Sequence, residues 1–256
     1  MFLNPLKAVI KIIGDNIIYF DTIDSTNAYL KKYWKKLPSE TIVWASKQTG
    51  GYGRMKRKWI SQRGGLWFSV LFKPKNRPMN PWHYVRLYTM SIKYVLSKYR
   101  LETVIKWPND LLVNNKKICG ILGEGIYVGN NISAIIVGIG LNVNNIIPDD
   151  LKNIATSYVE EKNKELNLKK LLKQINSTAY YKYYLKYFKK DKISIFTKLW
   201  IKNLNIRHGD FIKIISQSIE KRGKIVSIHG DYLEIDFDGK IEKIYAGEVS
   251  VRKERI

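Results

Sequence analysis

The chain has 256 residues, of which 45 are Lys or Arg and 22 are Asp or Glu, so its formal net charge is +23. Hydrophobic residues make up 45% of the sequence, which excludes a disordered chain and fits a catalytic domain with a small appendage. The single cysteine, Cys119, excludes an intramolecular disulfide and a four-cysteine zinc site. Net charge alone does not separate a nucleic-acid-binding protein from one with lysine-rich solvated helices.

The first residues, MFLNPLKAVIKII, carry Lys7 and Lys11 inside an apolar stretch, and no small-residue cleavage site follows them. This pattern predicts that the segment is not a secretory signal. The longest apolar run, residues 132–141, is too short to cross a bilayer. We therefore expect a cytoplasmic protein with no membrane partner.

Hydrophobic periodicity predicts an alternation of strands and helices over the first four fifths of the chain. Residues 48–65 interrupt it with glycines and basic residues and are predicted to form a loop. Asn114 and Asn115 predict a hairpin turn. The predicted strands are 16–23, 41–47, 66–72, 103–107 and 133–143, with a long strand after the hairpin, and the predicted helices are 26–36, 81–99, 168–190 and 193–204.

The pattern changes near Arg207. Short β-prone segments separated by glycine-containing turns follow from Gly209 onward, which is typical of a small β-barrel of about five strands. We therefore predict two domains, residues 1–206 and residues 207–256.

The loop sequence QTGGYGRMKRKW, residues 48–59, places glycines beside Arg54 and Arg57. Glycine lets backbone N–H groups approach an anion, and the guanidinium group matches a phosphate or a carboxylate. The spacing fits neither the Walker motif nor the dinucleotide fingerprint. The loop is therefore either an anion clamp or a flexible basic surface loop.

The sequence IKWPNDL, residues 105–111, follows a predicted strand and brings Lys106 and Asp110 to its end. Lys117 follows eleven residues after Lys106. Two lysines that converge on one pocket would neutralise phosphate and carboxylate charge in a reaction between two anions. A tight turn with a surface Lys and Asp is the alternative.

Five motifs occur in the order seen in biotin protein ligases, which this chain resembles over nearly its whole length. They are DSTN at 24–27, the loop at 48–59, KWPND at 106–110, Lys117 before Gly120, and GIGLNVN at 138–144. The resemblance is to the short, archaeal type without an N-terminal DNA-binding domain. It implies an α+β fold with a central mixed sheet, flanking helices of the class II synthetase type, and a C-terminal SH3-like barrel.

The resemblance implies that the protein activates biotin with ATP and Mg²⁺ as biotinyl-5′-AMP. It then passes biotin to one lysine of a biotin carboxyl carrier protein, and a homodimer is expected. About two dozen residues precede Ser25, so we expect no helix-turn-helix and no sequence-specific DNA binding. Lipoate-type ligase activity is one alternative, and a basic nucleic-acid-binding protein is another.

The resemblance also implies the roles of individual residues. Ser25, Thr26 and Asn27 match the motif for the biotin ureido ring. It implies a catalytic set of Arg54, Lys106, Asp110 and Lys117. It implies a binding set of Ser25, Thr26, Asn27, Gln48, Gly51, Tyr52, Gly53, Arg54, Arg57, Trp59, Lys117, Gly120 and Asn142.

Two features remain open at this point. Asp110 either orients Lys106, accepts a proton from the acceptor lysine, or helps to hold Mg²⁺, and no other metal ligand is predicted. Tyr52 and Lys56 depart from the arginine and the glycine of many bacterial members, so loop closure and adenylate retention are expected to differ from theirs.

Overall fold

The computed structural model describes residues 13, 15–73, 80–215, 220–247 and 250–253. The N-terminal segment expected not to be a secretory signal lies outside these ranges, apart from Ile13. The main body is a seven-stranded sheet in the order β1-β2-β3-β7-β6-β5-β4. These strands are β1 Ile17–Ile23, β2 Ile42–Gln48, β3 Leu66–Phe72, β4 Val104–Lys106, β5 Asp110–Val113, β6 Lys116–Val128 and β7 Asn131–Leu141.

The first two strands are parallel and the others are antiparallel, so the predicted mixed sheet is confirmed. The predicted hairpin is also present, because Asn114 and Asn115 join β5 to β6 with φ of 49° and 65°. Two successive left-handed residues match the twist of a tight hairpin. The apolar run predicted as a central strand forms β7, the middle strand of the sheet.

Helices cover both faces of the sheet. The α-helices are α1 Thr26–Tyr33, α2 Pro81–Lys98, α3 Tyr158–Lys162, α4 Leu168–Ser177 and α5 Ile193–Ile201. The Ser25 side chain caps α1 by accepting from the Ala28 N–H at 3.3 Å. Helix α2 buries Val85, Tyr88 and Ile92 against one face of the sheet, and α1 packs with Leu30 on the other.

The single helix predicted over 168–190 is wrong in its second half. Helix α4 ends at Ser177, and residues Thr178–Phe188 form a π-helix. The wider turn is seen in the bond from the Lys189 N–H to the Tyr184 carbonyl oxygen, five residues back. The rings of Tyr180, Tyr184 and Phe188 are stacked along this segment.

A second sheet of five antiparallel strands follows, in the order β11-β10-β9-β8-β12. These strands are β8 Phe211–Ile215, β9 Glu220–Ile228, β10 Tyr232–Phe237, β11 Lys240–Tyr245 and β12 Ser250–Lys253. The sheet fits an SH3-like domain, but the predicted closed barrel is wrong, since no pairing among the described residues joins β11 to β12. Its apolar side chains, such as Ile212 and Leu233, share one core with the main body.

Candidate active site

A cavity of about 510 Å³ lies on the face of the main sheet that carries α1, beneath the glycine-rich loop. This volume is within the usual range for small-molecule sites. Every residue of the predicted binding and catalytic sets lines it, except Gly51. The lining includes Ser25, Thr26, Asn27, Gln48, Tyr52, Gly53, Arg54, Arg57, Trp59, Lys106, Asp110, Lys117, Gly120 and Asn142.

Strand register brings the cationic residues to this face. The turn 107–109 sets Lys106 directly opposite Asp110 on the neighbouring strand. Asp110 in turn lies opposite Gly120, and Gly120 lies opposite Gly140. Directly opposed residues point to the same face of a sheet, so this row forms the floor of one end of the cavity.

The two glycines make room for Trp59. A Cβ added at Gly140 would lie 2.4 Å from the Trp59 indole nitrogen, and one at Gly120 would lie 3.0 Å from its ring. The Lys117 ammonium lies 4.9 Å from the centre of the same ring, a cation–π distance. The loop therefore covers the sheet at this end by laying an aromatic ring on glycine.

Positive charge dominates around Lys106. Its electrostatic neighbours are Asp110, Lys117, Arg252 and Arg54. Burial lowers the pKa of Lys106, the Asp110 carboxylate opposes that shift, and the three cations add to it. Lys117 forms an ion pair with Asp110 at 2.8 Å.

Arg54 joins the loop to the second sheet. Its guanidinium donates to the carbonyl oxygen of Ala246. Burial lowers the pKa of Arg54, and the Asp110 charge acts against this shift. Arg252 of β12 also lines the cavity, so both sheets contribute to this end of the site.

The opposite end of the cavity is a hydrogen-bonded wall of small polar side chains. The Gln48 Oε1 atom accepts from the Thr26 N–H at 2.8 Å and from the Thr26 hydroxyl at 3.0 Å. The Gln48 amide donates to the Ser61 hydroxyl at 2.9 Å. The Ser69 hydroxyl, on β3, lies 2.6 Å from the Thr26 hydroxyl and donates to the Asn27 Oδ1 atom. The predicted DSTN motif and Gln48 are therefore held in one network.

Gly51 is the predicted residue that does not line the cavity. A Cβ there would lie 2.7 Å from the Ser61 hydroxyl and 2.7 Å from the Trp59 carbonyl oxygen. Its carbonyl oxygen accepts from the Trp59 N–H at 2.9 Å. Gly51 therefore allows the loop to fold back on itself.

Asn142 lines the cavity, but both ends of its amide are used within the protein. Its nitrogen donates to the Thr156 carbonyl oxygen at 3.0 Å, and its oxygen accepts from Asn145 at 3.2 Å. These bonds fix the orientation of the Asn142 amide in the cavity wall.

Residues near the site that were not predicted from the sequence include Ser69, Glu124 and Arg252. Ser69 lies opposite Gly138, and Glu124 follows Gly120 by four positions on β6, so both point to the site face. Strand alternation could have found Glu124. No local signal predicts Arg252, because its position depends on how the second sheet packs against the first.

Among the described residues, no three His, Cys, Asp or Glu side chains cluster as metal ligands would. No helix in the same part of the chain is long and apolar enough to cross a membrane.

The fold is that of a protein ligase. It superimposes on a biotin protein ligase from Aquifex aeolicus, solved in complex with biotin and ATP, with a TM-score of 0.79 and 30% sequence identity. That match covers 94% of this chain and 100% of the Aquifex chain. The family model for the biotin/lipoate A/B protein ligases matches residues 19–142. The chain belongs to the biotin/lipoate A/B protein ligase family.

Curated relatives with similar sequences carry related names. The bifunctional ligase/repressor BirA of Bacillus subtilis is 38% identical over 153 residues, which cover 57% of this chain and 47% of that protein. The biotin–[acetyl-CoA-carboxylase] ligase of Paracoccus denitrificans is 31% identical over 123 residues, covering 47% of this chain and 51% of the relative. The chain thus spans about half the length of these relatives.

Proposed function

We propose that this chain is a biotin protein ligase that uses ATP to activate biotin and then biotinylates a lysine of a biotin carboxyl carrier protein. The observation that carries the proposal is a single cavity with a polar wall at Thr26 and Gln48 and a cationic end at Lys106 and Lys117. The match along the whole length of the Aquifex ligase supports it. The Bacillus relative is named as both a ligase and a repressor, and we propose only the ligase activity for this chain.

In the first step, a biotin carboxylate oxygen attacks the α-phosphorus of ATP, and the bond to pyrophosphate breaks. Two anions must approach each other, so Arg54, Lys106 and Lys117 reduce their repulsion and stabilise the charge that spreads in the transition state. In the second step, a neutral lysine amine attacks the acyl carbon and AMP leaves. The loop excludes water that would hydrolyse the adenylate.

Mg²⁺ would arrive with the nucleotide, because this ion is usually held by one or two carboxylates and by substrate phosphates. Asp110 and Asp150 line the cavity and are suitable ligands. The ion would neutralise triphosphate charge there. Among the three roles expected for Asp110, orientation of a lysine is favoured by its 2.8 Å ion pair, although the partner is Lys117 and not Lys106.

The test is to incubate the protein with biotin, Mg-ATP and a carrier domain and to measure the mass of the acceptor. We expect one biotinyl addition that requires ATP and is lost when the acceptor lysine is replaced by arginine. Lipoate offered in place of biotin is the matched control. Modification by lipoate but not by biotin would contradict the proposal, and so would an unmodified acceptor.

A further inference from the structure

Glu124 lies behind the polar wall of the cavity. It is on β6, and Gly120, Leu122 and Glu124 point to the same face because strand residues alternate. Gly120 and Leu122 line the cavity, whereas the Glu124 side chain is only 19% exposed. A carboxylate this enclosed needs hydrogen-bond donors.

Three donors converge on Glu124, two from helix α1 and one from the glycine-rich loop. Its Oε2 atom accepts from the Asn27 amide at 2.7 Å and from the Tyr52 hydroxyl at 3.1 Å. Its Oε1 atom accepts from the Lys31 ammonium at 2.6 Å. Burial acts to lower the pKa of Lys31, but the hydrogen bonds and charges of Glu124 and Tyr52 outweigh it, so the pKa of Lys31 is raised and its ammonium stays charged.

The first bond determines which way the Asn27 amide faces. Its oxygen accepts from Ser69, and its nitrogen donates to Glu124. An ionised carboxylate accepts but never donates, so the opposite orientation would place two acceptors together. The second N–H of the Asn27 amide lies outside these bonds. Asn27, which lines the cavity, therefore offers a ligand a hydrogen-bond donor.

The second bond fastens the glycine-rich loop. Tyr52 is a loop residue, and its hydroxyl reaches across to β6. The Lys56 ammonium lies 4.5 Å from the centre of the Tyr52 ring, and the Lys31 ammonium lies 5.6 Å from it. The two loop positions that depart from the bacterial pattern therefore contact each other, and one of them, Tyr52, bonds to Glu124.

We propose that Glu124 is a positioning residue that couples substrate recognition to the loop: it orients Asn27 toward the biotin ring and, through Tyr52, holds the loop over the adenylate. This inference rests on the proposed function. Glu124 itself does not touch the reacting atoms. It acts through two residues that line the cavity.

The two branches predict different losses. Glu124→Gln places an amide where the carboxylate was, so we expect biotin binding at least tenfold weaker by calorimetry without ATP. Tyr52→Phe removes the hydroxyl bond between the loop and Glu124 and leaves the bond between Glu124 and Asn27 in place, so we expect a smaller loss of biotin affinity than in Glu124→Gln. Preformed biotinyl-adenylate, chased with excess unlabelled biotin, should leave the Tyr52→Phe protein at least fivefold faster.

Glu165→Gln and Tyr181→Phe are the matched controls, because both positions are exposed and lie outside the cavity. We expect both to behave as the unsubstituted protein. Melting curves identify any loss of folding, and Tyr52→Phe carries the test alone if Glu124→Gln melts early. Adenylate release from Tyr52→Phe at an unchanged rate would overturn the inference, as would unchanged biotin affinity in a folded Glu124→Gln protein. Failure of the unsubstituted protein to bind biotin would instead overturn the proposed function.

Discussion

Lys106 is a residue at which charge and burial conflict. It is half-buried near Lys117, Arg252 and Arg54, with Asp110 as the opposing charge. Such an arrangement is unfavourable without an anion and favourable with a triphosphate present. We expect Lys106→Ala to slow biotin-dependent exchange of pyrophosphate into ATP by about 100-fold, the usual effect of losing one transition-state donor.

The same substitution should leave the fold intact, because removing a half-buried cation that has three cationic neighbours relieves repulsion. Thermal melting without ligands checks this, and we expect no decrease in the melting temperature. Lys198→Ala, on the exposed side of α5, is the matched control for exchange and for melting. Exchange within threefold of normal in Lys106→Ala would exclude a role for this lysine in activation.

The residues that could be predicted from the sequence are those in local motifs. The turn that sets Lys106 opposite Asp110 and the cap at Ser25 depend on near neighbours, so short patterns reveal them. Glu124 lies four residues after Gly120 on one strand, so strand alternation could have revealed it, whereas Arg252 meets the site only through the packing of the second sheet. No local spacing in the sequence encodes the long-range position of Arg252.

At the scale of elements, the loop depends on the two glycines beneath Trp59. In Gly140→Ala the new methyl group would lie 2.4 Å from the indole nitrogen, so the ring and the loop must move. The strand itself accepts alanine, and the fold should persist. Trp59 lies beside Lys117 at the cationic end of the cavity, where the triphosphate is proposed to bind. We therefore expect ATP affinity, measured by calorimetry with biotin bound, to fall at least tenfold, while biotin affinity changes less.

Gly50→Ala is the control, because this glycine belongs to the same loop and its added Cβ would meet only ordinary contacts of 3.4 Å or more. We expect its ATP affinity to match that of the unsubstituted protein. If Gly140→Ala also binds ATP normally, Trp59 does not need its place on the sheet for nucleotide binding.

Elements differed from the predictions where side chains interact beyond the immediate sequence. The strand pattern after Gly209 correctly predicts five strands, but closure depends on how the edge strands β11 and β12 meet, which periodicity does not describe. The apolar stripe predicted over residues 168–190 is also present, because its side chains are buried. The stacked aromatic rings at Tyr180 and Tyr184 accompany a wider turn that a 3.6-residue period does not predict.

At the scale of the whole molecule, a buried arginine joins the second sheet to the main body. The Arg86 side chain, 2% exposed, donates to the Asp231 carboxylate at 2.8 Å and to the Gly230 carbonyl oxygen at 3.0 Å. It also donates to the His83 Nδ1 atom at 2.7 Å. Arginine cannot accept a hydrogen bond, so His83 must be neutral on that nitrogen.

This contact predicts an acid-sensitive stability. Burial, aided by the Arg86 charge and opposed by Asp231, lowers the pKa of His83 to about 4. The unfolded chain binds a proton near the usual pKa of 6.5, so stability from this group is complete above about pH 6.5 and is lost as the pH falls toward 4. Over that interval the unfolding free energy of His83→Gln should fall by about 2 kcal/mol less than that of the unsubstituted protein.

Urea denaturation at pH 7 and at pH 4.5 measures this difference. Glutamine keeps an acceptor for Arg86, so the two proteins should be similar in stability at pH 7. Carboxylates contribute to acid sensitivity in both proteins and cancel in the comparison. An equal loss of stability in both would show that His83 stays uncharged or charges freely in both states.

The net charge of +23 bears on how the protein would meet the proposed acceptor. The excess of Lys and Arg creates a long-range field that would attract an acidic carrier domain and raise the association rate. Salt screens such a field, with a Debye length of about 10 Å at 0.1 M.

With biotin and ATP saturating and the acceptor well below its KM, biotinylation should slow at least fivefold between about 20 and 300 mM salt. Adenylate formation without acceptor is the internal control and should change less than twofold, because its saturated substrates are already bound. If salt changed the rate of acceptor biotinylation by less than twofold as well, the lysines would contribute to solubility and not to association with the acceptor.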